Sequence, residues 1–181
     1  SPLNILKYVD IRWESLVQCS ERILKLWDQL IEFFDESDSP IKMDINDYEY
    51  KLYIYVLYIL LYKLSGYITF FQKPTLYWDQ VLEKMKESYI LFGRMLLKTC
   101  FQEYEFDDIY SIPFEDLGHS SCKEKLASES EFKEFLSDRY PRIIQLIQEV
   151  KTFHSNRKDV ERQCFIHAKD FILQVVRSMK K

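Results

Sequence analysis

The sequence predicts an all-α protein, a multi-helix bundle with a short strand or extended arm at its N-terminus. The 181 residues contain only three glycines and five prolines, too few for the frequent turns of a β-sandwich. Apolar residues recur at intervals of three and four along most of the chain, which is the period of a helix face. The exception is the short stretch Leu3 to Val9, which tolerates β structure and precedes the first helical pattern.

Length and cysteine usage indicate a single intracellular domain, and we expect residues 1–181 to form one helical domain. A chain of this size can bury about 70% of its unfolded surface, so it needs no disulfide or metal to hold its core. Its four cysteines include no closely spaced pair and are expected to be reduced, mostly buried thiols. The chain does not begin with a signal-peptide pattern.

The first helix is predicted from about Ser15 to Phe34. Small and apolar residues step along it by four and three positions and form one face: Leu16, Ser20, Ile23, Trp27, Leu30 and Phe34. The stretch Asp35 to Pro40, with its acids, serines and proline, is expected to end it.

The second predicted helix is apolar on all sides. Asn46 or Asp47 is expected to cap it, and the run Leu52 to Tyr62 has no charged residue. A helix without a polar face is either buried or spans a membrane. Lys51 and Lys63 bracket only eleven residues, whereas a span needs about 20. We therefore expect a central buried helix and no membrane contact.

A third helix is predicted to begin at Thr75 or Asp79 and to end near Cys100. Eight apolar residues are expected to form its inward face: Trp78, Val81, Leu82, Met85, Tyr89, Phe92, Leu96 and Leu97. Later helices are expected over three stretches, the last of them broken near residue 154: Ser120 to Leu126, Ser130 to Leu136, and Pro141 to the end of the chain.

The stretch Phe101 to Leu117, which we call the acidic–aromatic segment, interrupts the helical pattern. It holds six acids, no base and five aromatic residues. A connection of this length within a compact domain is often functional or packed on the surface. Its aromatic side chains are therefore candidates for partner binding: Phe101, Tyr104, Phe106, Tyr110 and Phe114.

Charge is unevenly distributed along the chain, whose net charge is −4. The first forty residues carry four basic and eight acidic side chains, whereas Arg139 to Lys181 carries ten basic and four acidic ones. A dedicated nucleic-acid-binding domain is usually basic throughout. The composition therefore disfavours that class, although the C-terminal segment has the charge to contact phosphate.

Two spaced pairs, His119-x-x-Cys122 and Cys164-x-x-His167, contain ligand types that bind zinc. The alternative is that Cys164 is a core thiol with His167 one turn further along the same helix. A cysteine nucleophile needs a neighbouring base, and no spacing places a particular histidine beside a particular cysteine. With no glycine-rich phosphate loop either, we expect no cofactor, no bound metal, no small-molecule substrate and no catalytic residue.

Several stretches resemble the hAT-superfamily DNA transposases, which carry an Arg-Trp dipeptide where a strand passes into an apolar helix. Here that dipeptide is Arg12-Trp13. The stretches that carry the likeness run through most of the chain in order: Asp10 to Leu16, Glu21 to Leu24, Trp27, Asp108 to Leu117, Phe132 to Leu136, Val160 to Cys164, and Phe171 to Lys181. The last four are similar to the late part of that family's helical insertion domain.

The resemblance implies that the family's catalytic residues fall outside this stretch of sequence. In hAT transposases an RNase H-like core holds two aspartates before the insertion and a glutamate after it, which would lie before Ser1 and beyond Lys181. The chain alone would then lack the two-metal site for strand transfer. The resemblance also implies that Trp13 stacks near a flipped base at the transposon end and that Arg12 approaches the DNA backbone. The alternative is that Trp13 fills the junction between strand and helix.

We therefore expect a protein-interaction or assembly module of a domesticated, transposase-derived nuclear protein, associated with DNA or chromatin through the full-length protein. Its partner is expected to be another protein or a second copy of the chain. The alternative is a fragment of an active hAT transposase that contributes transposon-end DNA binding through Arg12, Trp13 and the basic C-terminal segment. An unrelated intracellular helical bundle is the third alternative.

Overall fold

The computed structural model describes residues 13–37, 48–153 and 159–180. Within these ranges the chain is helical, which confirms the all-α bundle, and the predicted N-terminal strand or arm lies outside them. A 3₁₀ turn covers Thr99–Phe101, and the α-helices are α1 (Trp13–Lys25), α2 (Trp27–Glu36), α3 (Tyr48–Phe71), α4 (Trp78–Leu96), α5 (Phe106–Tyr110), α6 (Ser120–Lys125), α7 (Glu129–Arg139), α8 (Arg142–Phe153) and α9 (Asp159–Met179).

The helices group into two compact units. Unit 1 comprises the described residues of Ser1–Ile68 and Arg142–Cys164, and unit 2 comprises those of Thr69–Pro141 and Phe165–Lys181. Unit 1 thus holds α1, α2, most of α3, and α8, whereas unit 2 holds α4 to α7 and most of α9. A single domain over residues 1–181 stays a prediction.

The first helix was predicted as one element, but it is two, and it begins at Trp13 rather than at Ser15. The backbone leaves helical values at Leu26, where φ is −100° and ψ is 10°. The amide of Leu26 still donates to the Arg22 carbonyl over 3.0 Å, so the interruption is local. No glycine or proline marks this position, and the apolar period continues across it, which is why the sequence pattern did not indicate the break.

α3 has 24 residues and is apolar on all sides, with an 18-residue window of mean hydropathy 1.5. By length and composition alone it is the one helix in the described ranges that could cross a membrane. One face is buried, at Leu52, Val56 and Ile59, whereas Tyr50 and Tyr62 are exposed. The prediction of a central buried helix therefore describes one face of α3 and not its whole circumference.

α4 begins at Trp78, and the preceding residue, Tyr77, is in an extended conformation. Neither of the two predicted start residues, Thr75 and Asp79, caps the helix. It ends at Leu96, four residues before the predicted end at Cys100. The next residue, Leu97, leaves the helix and forms an isolated antiparallel bridge with Leu126. The Ala127 amide donates to the Leu96 carbonyl over 2.8 Å. Short α5 and longer α7 both pack against α4.

The remaining helices follow the predicted stretches. α6 and α7 match the two predicted short helices within a few residues, and α7 begins earlier because Ser128 caps it. There the Ser128 hydroxyl accepts a hydrogen bond from the Glu131 amide, and the Glu131 carboxylate accepts one from the Ser128 amide. The predicted break near residue 154 and the predicted caps Asn46 and Asp47 lie outside the described residues.

Candidate partner-binding surface

The acidic–aromatic segment is an ordered part of unit 2, folded around the short helix α5. Glu105 and Asp108 cap that helix reciprocally, each carboxylate accepting a hydrogen bond from the other residue's backbone amide. Ile109 and Ile112 are fully buried and anchor the segment to its unit. Acidic residues near a helix start are favourable because the first backbone amides lack intrahelical partners.

Three basic side chains of unit 2 bind carbonyl oxygens of this segment. Arg94 donates through Nε and Nη2 to the Tyr104 carbonyl, at 3.0 and 2.8 Å. Arg177 Nε donates to the Phe114 carbonyl over 2.8 Å. Lys180 Nζ donates to the Ile112 carbonyl over 3.2 Å and lies 3.6 Å from a Glu115 carboxylate oxygen. Part of the basic charge at the C-terminus is therefore used to satisfy carbonyls within the protein.

The five aromatic candidates of the segment lie in different environments. Phe114 is fully buried, so its inclusion among the partner-binding residues is corrected: its ring fills the core of unit 2. Phe101 and Tyr104 are half-buried and contact each other edge-to-face at 5.2 Å between ring centroids. Phe106 is half-buried and Tyr110 is exposed, and their rings stack at 5.3 Å.

The apolar stripe of α4 is covered over only half of its length. Its C-terminal half is buried as predicted, at Tyr89, Phe92 and Leu96. Its N-terminal half is exposed, with Trp78 at 77%, Leu82 at 45% and Met85 at 46% of their surface in solvent. The expectation that the whole stripe faces inward is therefore corrected: the structure buries the stripe from Tyr89 onward and leaves Trp78, Leu82 and Met85 exposed.

An apolar groove of about 660 Å³ lies where the exposed half of the stripe meets the buried half. Ten residues of unit 2 line it: Phe71, Val81, Leu82, Met85, Lys86, Ser88, Tyr89, Phe106, Tyr110 and Met179. The volume falls within the range of about 300–1,000 Å³ that is typical of ligand pockets. An apolar groove with few polar groups is also the surface that takes a helix or an aromatic anchor of a partner.

Two of the polar groups that line this groove belong to Lys86 and Tyr89. The Lys86 ammonium stands 5.3 Å from the centroid of the Phe106 ring, a cation–π contact. The Tyr89 hydroxyl is buried, with no hydrogen-bond partner in the described part of the chain. Burial, with smaller effects of Glu115 and Tyr110, raises the pKa of Tyr89, so the hydroxyl keeps its proton. Sequence reasoning missed Lys86 and Met179, although Lys86 does flank the α4 stripe.

Three of the residues considered for zinc or nucleophilic chemistry have structural roles: Cys122, Cys164 and His119. Burial raises the pKa of the Cys164 thiol to about 12 and also raises that of Cys122, so both are protonated and weakly nucleophilic at neutral pH. His119 Nδ1 accepts a hydrogen bond from the Ser121 amide and caps α6. Within the described ranges, no three His, Cys, Asp or Glu residues form a group that could hold a metal ion.

The two candidate DNA contacts fall largely outside the described structure. Arg12 is not among the described residues, and Trp13 is the first residue of α1, with only its backbone described. Their assignment to DNA binding stays a prediction.

Among the described residues of unit 1, Lys51 is the one charged residue that is buried. Its ammonium lies 3.9 Å from an Asp28 oxygen and 4.0 Å from a Glu149 oxygen, and over the Trp27 and Tyr48 rings at 5.8 and 5.4 Å. Two acids and two aromatic faces thus compensate this cation within its own unit. We interpret the arrangement as internal packing, since these neighbours surround the ammonium.

Comparisons of the chain with protein-family models, with curated proteins and with solved structures give no match. The candidate surface is therefore interpreted from its own geometry.

Proposed function

We propose that this chain is a protein-interaction or assembly module, and that its contact surface is the groove of unit 2 with the exposed half of the α4 stripe. The observation that carries the proposal is the exposure of Trp78, Leu82 and Met85 on a helix whose next turns are core. Burying such side chains against a partner is favourable, at about 25 cal/mol per Å² of apolar surface removed from water. Clustered exposed apolar side chains of this kind mark interaction sites.

In this proposal the parent protein is a domesticated hAT transposase that acts in the nucleus, and the chain supplies assembly and no catalysis. The Arg12-Trp13 passage and the order of the similar stretches support that origin. The protonated state of the two buried cysteines supports a module without a catalytic thiol.

The alternative, a fragment that contributes transposon-end DNA binding, relies on the basic C-terminal segment. Arg177 and Lys180 of that segment donate to carbonyl oxygens of unit 2, and Lys169 donates to the Ala127 carbonyl. Each of these contacts occupies N–H donors that a direct phosphate contact would need. Salt-dependent binding of the purified chain to duplex DNA, strong at 50 mM and lost at 200 mM salt, would favour the alternative, because phosphate contacts release counterions.

Site-specific photo-crosslinking in cells tests the proposal. A photoreactive residue in place of Met85, in the groove, is expected to give discrete protein adducts, either with another protein or with a second copy of the chain. The same residue in place of Gln80, which is exposed on the opposite side of α4, serves as the matched control. Equal adduct patterns from the two positions would overturn the proposal.

A further inference from the structure

The apolar stripe of α4, which is exposed at Trp78, Leu82 and Met85 and buried at Tyr89, has a spacing that is the same in both directions. Trp78, Leu82, Met85 and Tyr89 are separated by four, three and four residues. These intervals keep all four on one helical face. Because the series is palindromic, two antiparallel copies of the helix would align Trp78 of one with Tyr89 of the other, and Leu82 with Met85.

In this antiparallel alignment, Trp78 of one copy needs an apolar pocket near Tyr89 of the other copy, and the groove lies there. It surrounds Tyr89 and Met85 and is walled by Phe106 and Tyr110. In the antiparallel pair, Trp78 of one copy reaches the level of Tyr89 in the other copy, at the mouth of that groove. Each copy therefore offers both an exposed aromatic anchor and the apolar groove to receive it, which is the condition for an isologous two-fold contact.

The charged residues that flank the stripe also favour the antiparallel arrangement of the two α4 helices. Asp79 and Lys86 are seven residues apart, close to two helical turns, and so they share one flank of the stripe. In an antiparallel two-fold pair this flank meets the same flank of the other copy. Asp79 of each copy then faces Lys86 of the other, forming two opposite-charge pairs. A parallel pair would place this flank against the opposite one, which carries the uncharged residues Val81 and Ser88.

We infer that the groove of unit 2 is occupied by a second copy of this chain, with the two α4 helices antiparallel and Trp78 of each copy in the groove of the other. This inference rests on the proposed function and names its partner. The apolar anchor supplies most of the favourable burial, whereas the exposed ion pairs fix the direction and register of the helices more than the affinity.

Sedimentation equilibrium of the whole chain, from micromolar to several hundred micromolar, tests this pairing. We expect a concentration-dependent dimer that weakens by about tenfold or more in Trp78→Ala, since a buried aromatic anchor is commonly a hot spot. Tyr77→Ala is the matched control, because Tyr77 is also largely exposed, adjacent in sequence and off the stripe. Circular dichroism of each variant establishes that it is folded.

Charge reversal gives a result that only the antiparallel register predicts. Asp79→Lys and Lys86→Glu each place like charges opposite one another twice, so each variant alone is expected to dimerise less than the natural chain. Mixed in equal amounts, the two variants form two opposite-charge pairs in every mixed dimer, and association is expected to return.

A natural chain that stays monomeric at several hundred micromolar would overturn the inference, as would a mixture of the two variants that associates no better than either alone. If the chain is monomeric and the crosslinker at position 85 still captures a different protein, the proposed function stands and the self-pairing fails. If it captures nothing, both fail.

Discussion

The two halves of α4 have the same hydrophobic period and opposite environments. From Tyr89 to Leu96 the stripe is core, packed under α5 and α7, whereas from Trp78 to Met85 it lies open. Periodicity therefore identifies which face of a helix is apolar but not what covers it. The covering elements in unit 2 are the five-residue helix α5 with the segment around it and the 11-residue helix α7, and the first two turns of α4 stay exposed.

This difference has a consequence for function. An apolar residue in the covered half contributes to folding, whereas one in the open half is exposed and is assigned to association only by the proposal above. Five sets of substitutions, from the largest expected effect to the smallest, probe the two halves and the elements that cover them.

Phe92→Ala is expected to lower the free energy of unfolding by about 3–5 kcal/mol, because it leaves a cavity at a fully buried position. Leu82→Ala, on the same stripe in the open half, is expected to cost about 1 kcal/mol or less, since Leu82 is 45% exposed. Urea unfolding at low protein concentration, where association is negligible, measures both. Similar costs at the two positions would contradict the division.

Gly93→Ala tests how closely α5 approaches the covered half. An added Cβ at Gly93 would overlap the Ile109 Cγ2, which is fully buried and β-branched and cannot easily move. We expect a loss of about 1–3 kcal/mol from overpacking. The control is Gly66→Ala in α3, where nothing lies within 4 Å of the new Cβ. There the helix should gain about 0.5–1 kcal/mol, because alanine is the better helix former. Two changes of the same sign would refute this account.

Ser128→Ala removes the cap of α7, the second element that packs on the covered half. It is expected to lower the free energy of unfolding by about 1 kcal/mol, the usual value of an N-terminal cap. Thermal unfolding, with the exposed and uninvolved Ser178→Ala on α9 as the control, measures the effect. An unchanged midpoint would mean that α7 does not depend on its cap.

The same cap carries a pH dependence. Hydrogen bonds from Ser128 lower the pKa of Glu131 below its usual 4.5. The folded state thus binds this proton less readily than the unfolded state, so the carboxylate contributes stability above pH 4.5 and loses it as the pH falls through the folded pKa. Glu131→Gln should be less stable than the natural protein at pH 7, and the two should converge in acid. If the difference in free energy of unfolding between the two proteins stays constant from pH 7 into acid, the effect of Glu131→Gln comes from the changed side-chain shape and not from the lost charge.

Tyr89→Phe is expected to have the smallest effect, at the boundary between the two halves. It removes a buried hydroxyl that has no described partner, so the free energy of unfolding should stay within about 1 kcal/mol of the natural value or rise. Chemical denaturation measures it. A clear loss of stability would show that the hydroxyl is hydrogen-bonded in solution.

Much of the fold followed from local pattern. The long apolar runs predicted α3 and α4, and the predicted starts of the later helices were within a residue of the observed ones at Ser120, Glu129 and Arg142. The break at Leu26 could not be predicted, because nothing in the side-chain period changes there. The end of α4 was also missed, since the bridge between Leu97 and Leu126 joins residues distant in sequence.

The candidate surface was predicted only in part. An aromatic segment without a helical period drew attention to Phe106 and Tyr110, which do wall the groove. Its buried member, Phe114, and its exposed neighbours looked alike in sequence, because burial depends on which side of a short turn each ring occupies. The floor of the groove was assigned to the core, since a stripe of apolar residues is usually covered.

The sequence by itself determined the helical class, the position of most helices, the apolar face of α4 and the uneven charge. These are consequences of composition and of contacts between residues three or four apart. Only the tertiary structure decided that the acidic–aromatic segment binds Arg94, Arg177 and Lys180, and that half of the α4 stripe remains open. These two features depend on how residues that are distant in sequence pack together in the folded chain. A groove forms only where such residues approach one another and leave the space between them unfilled.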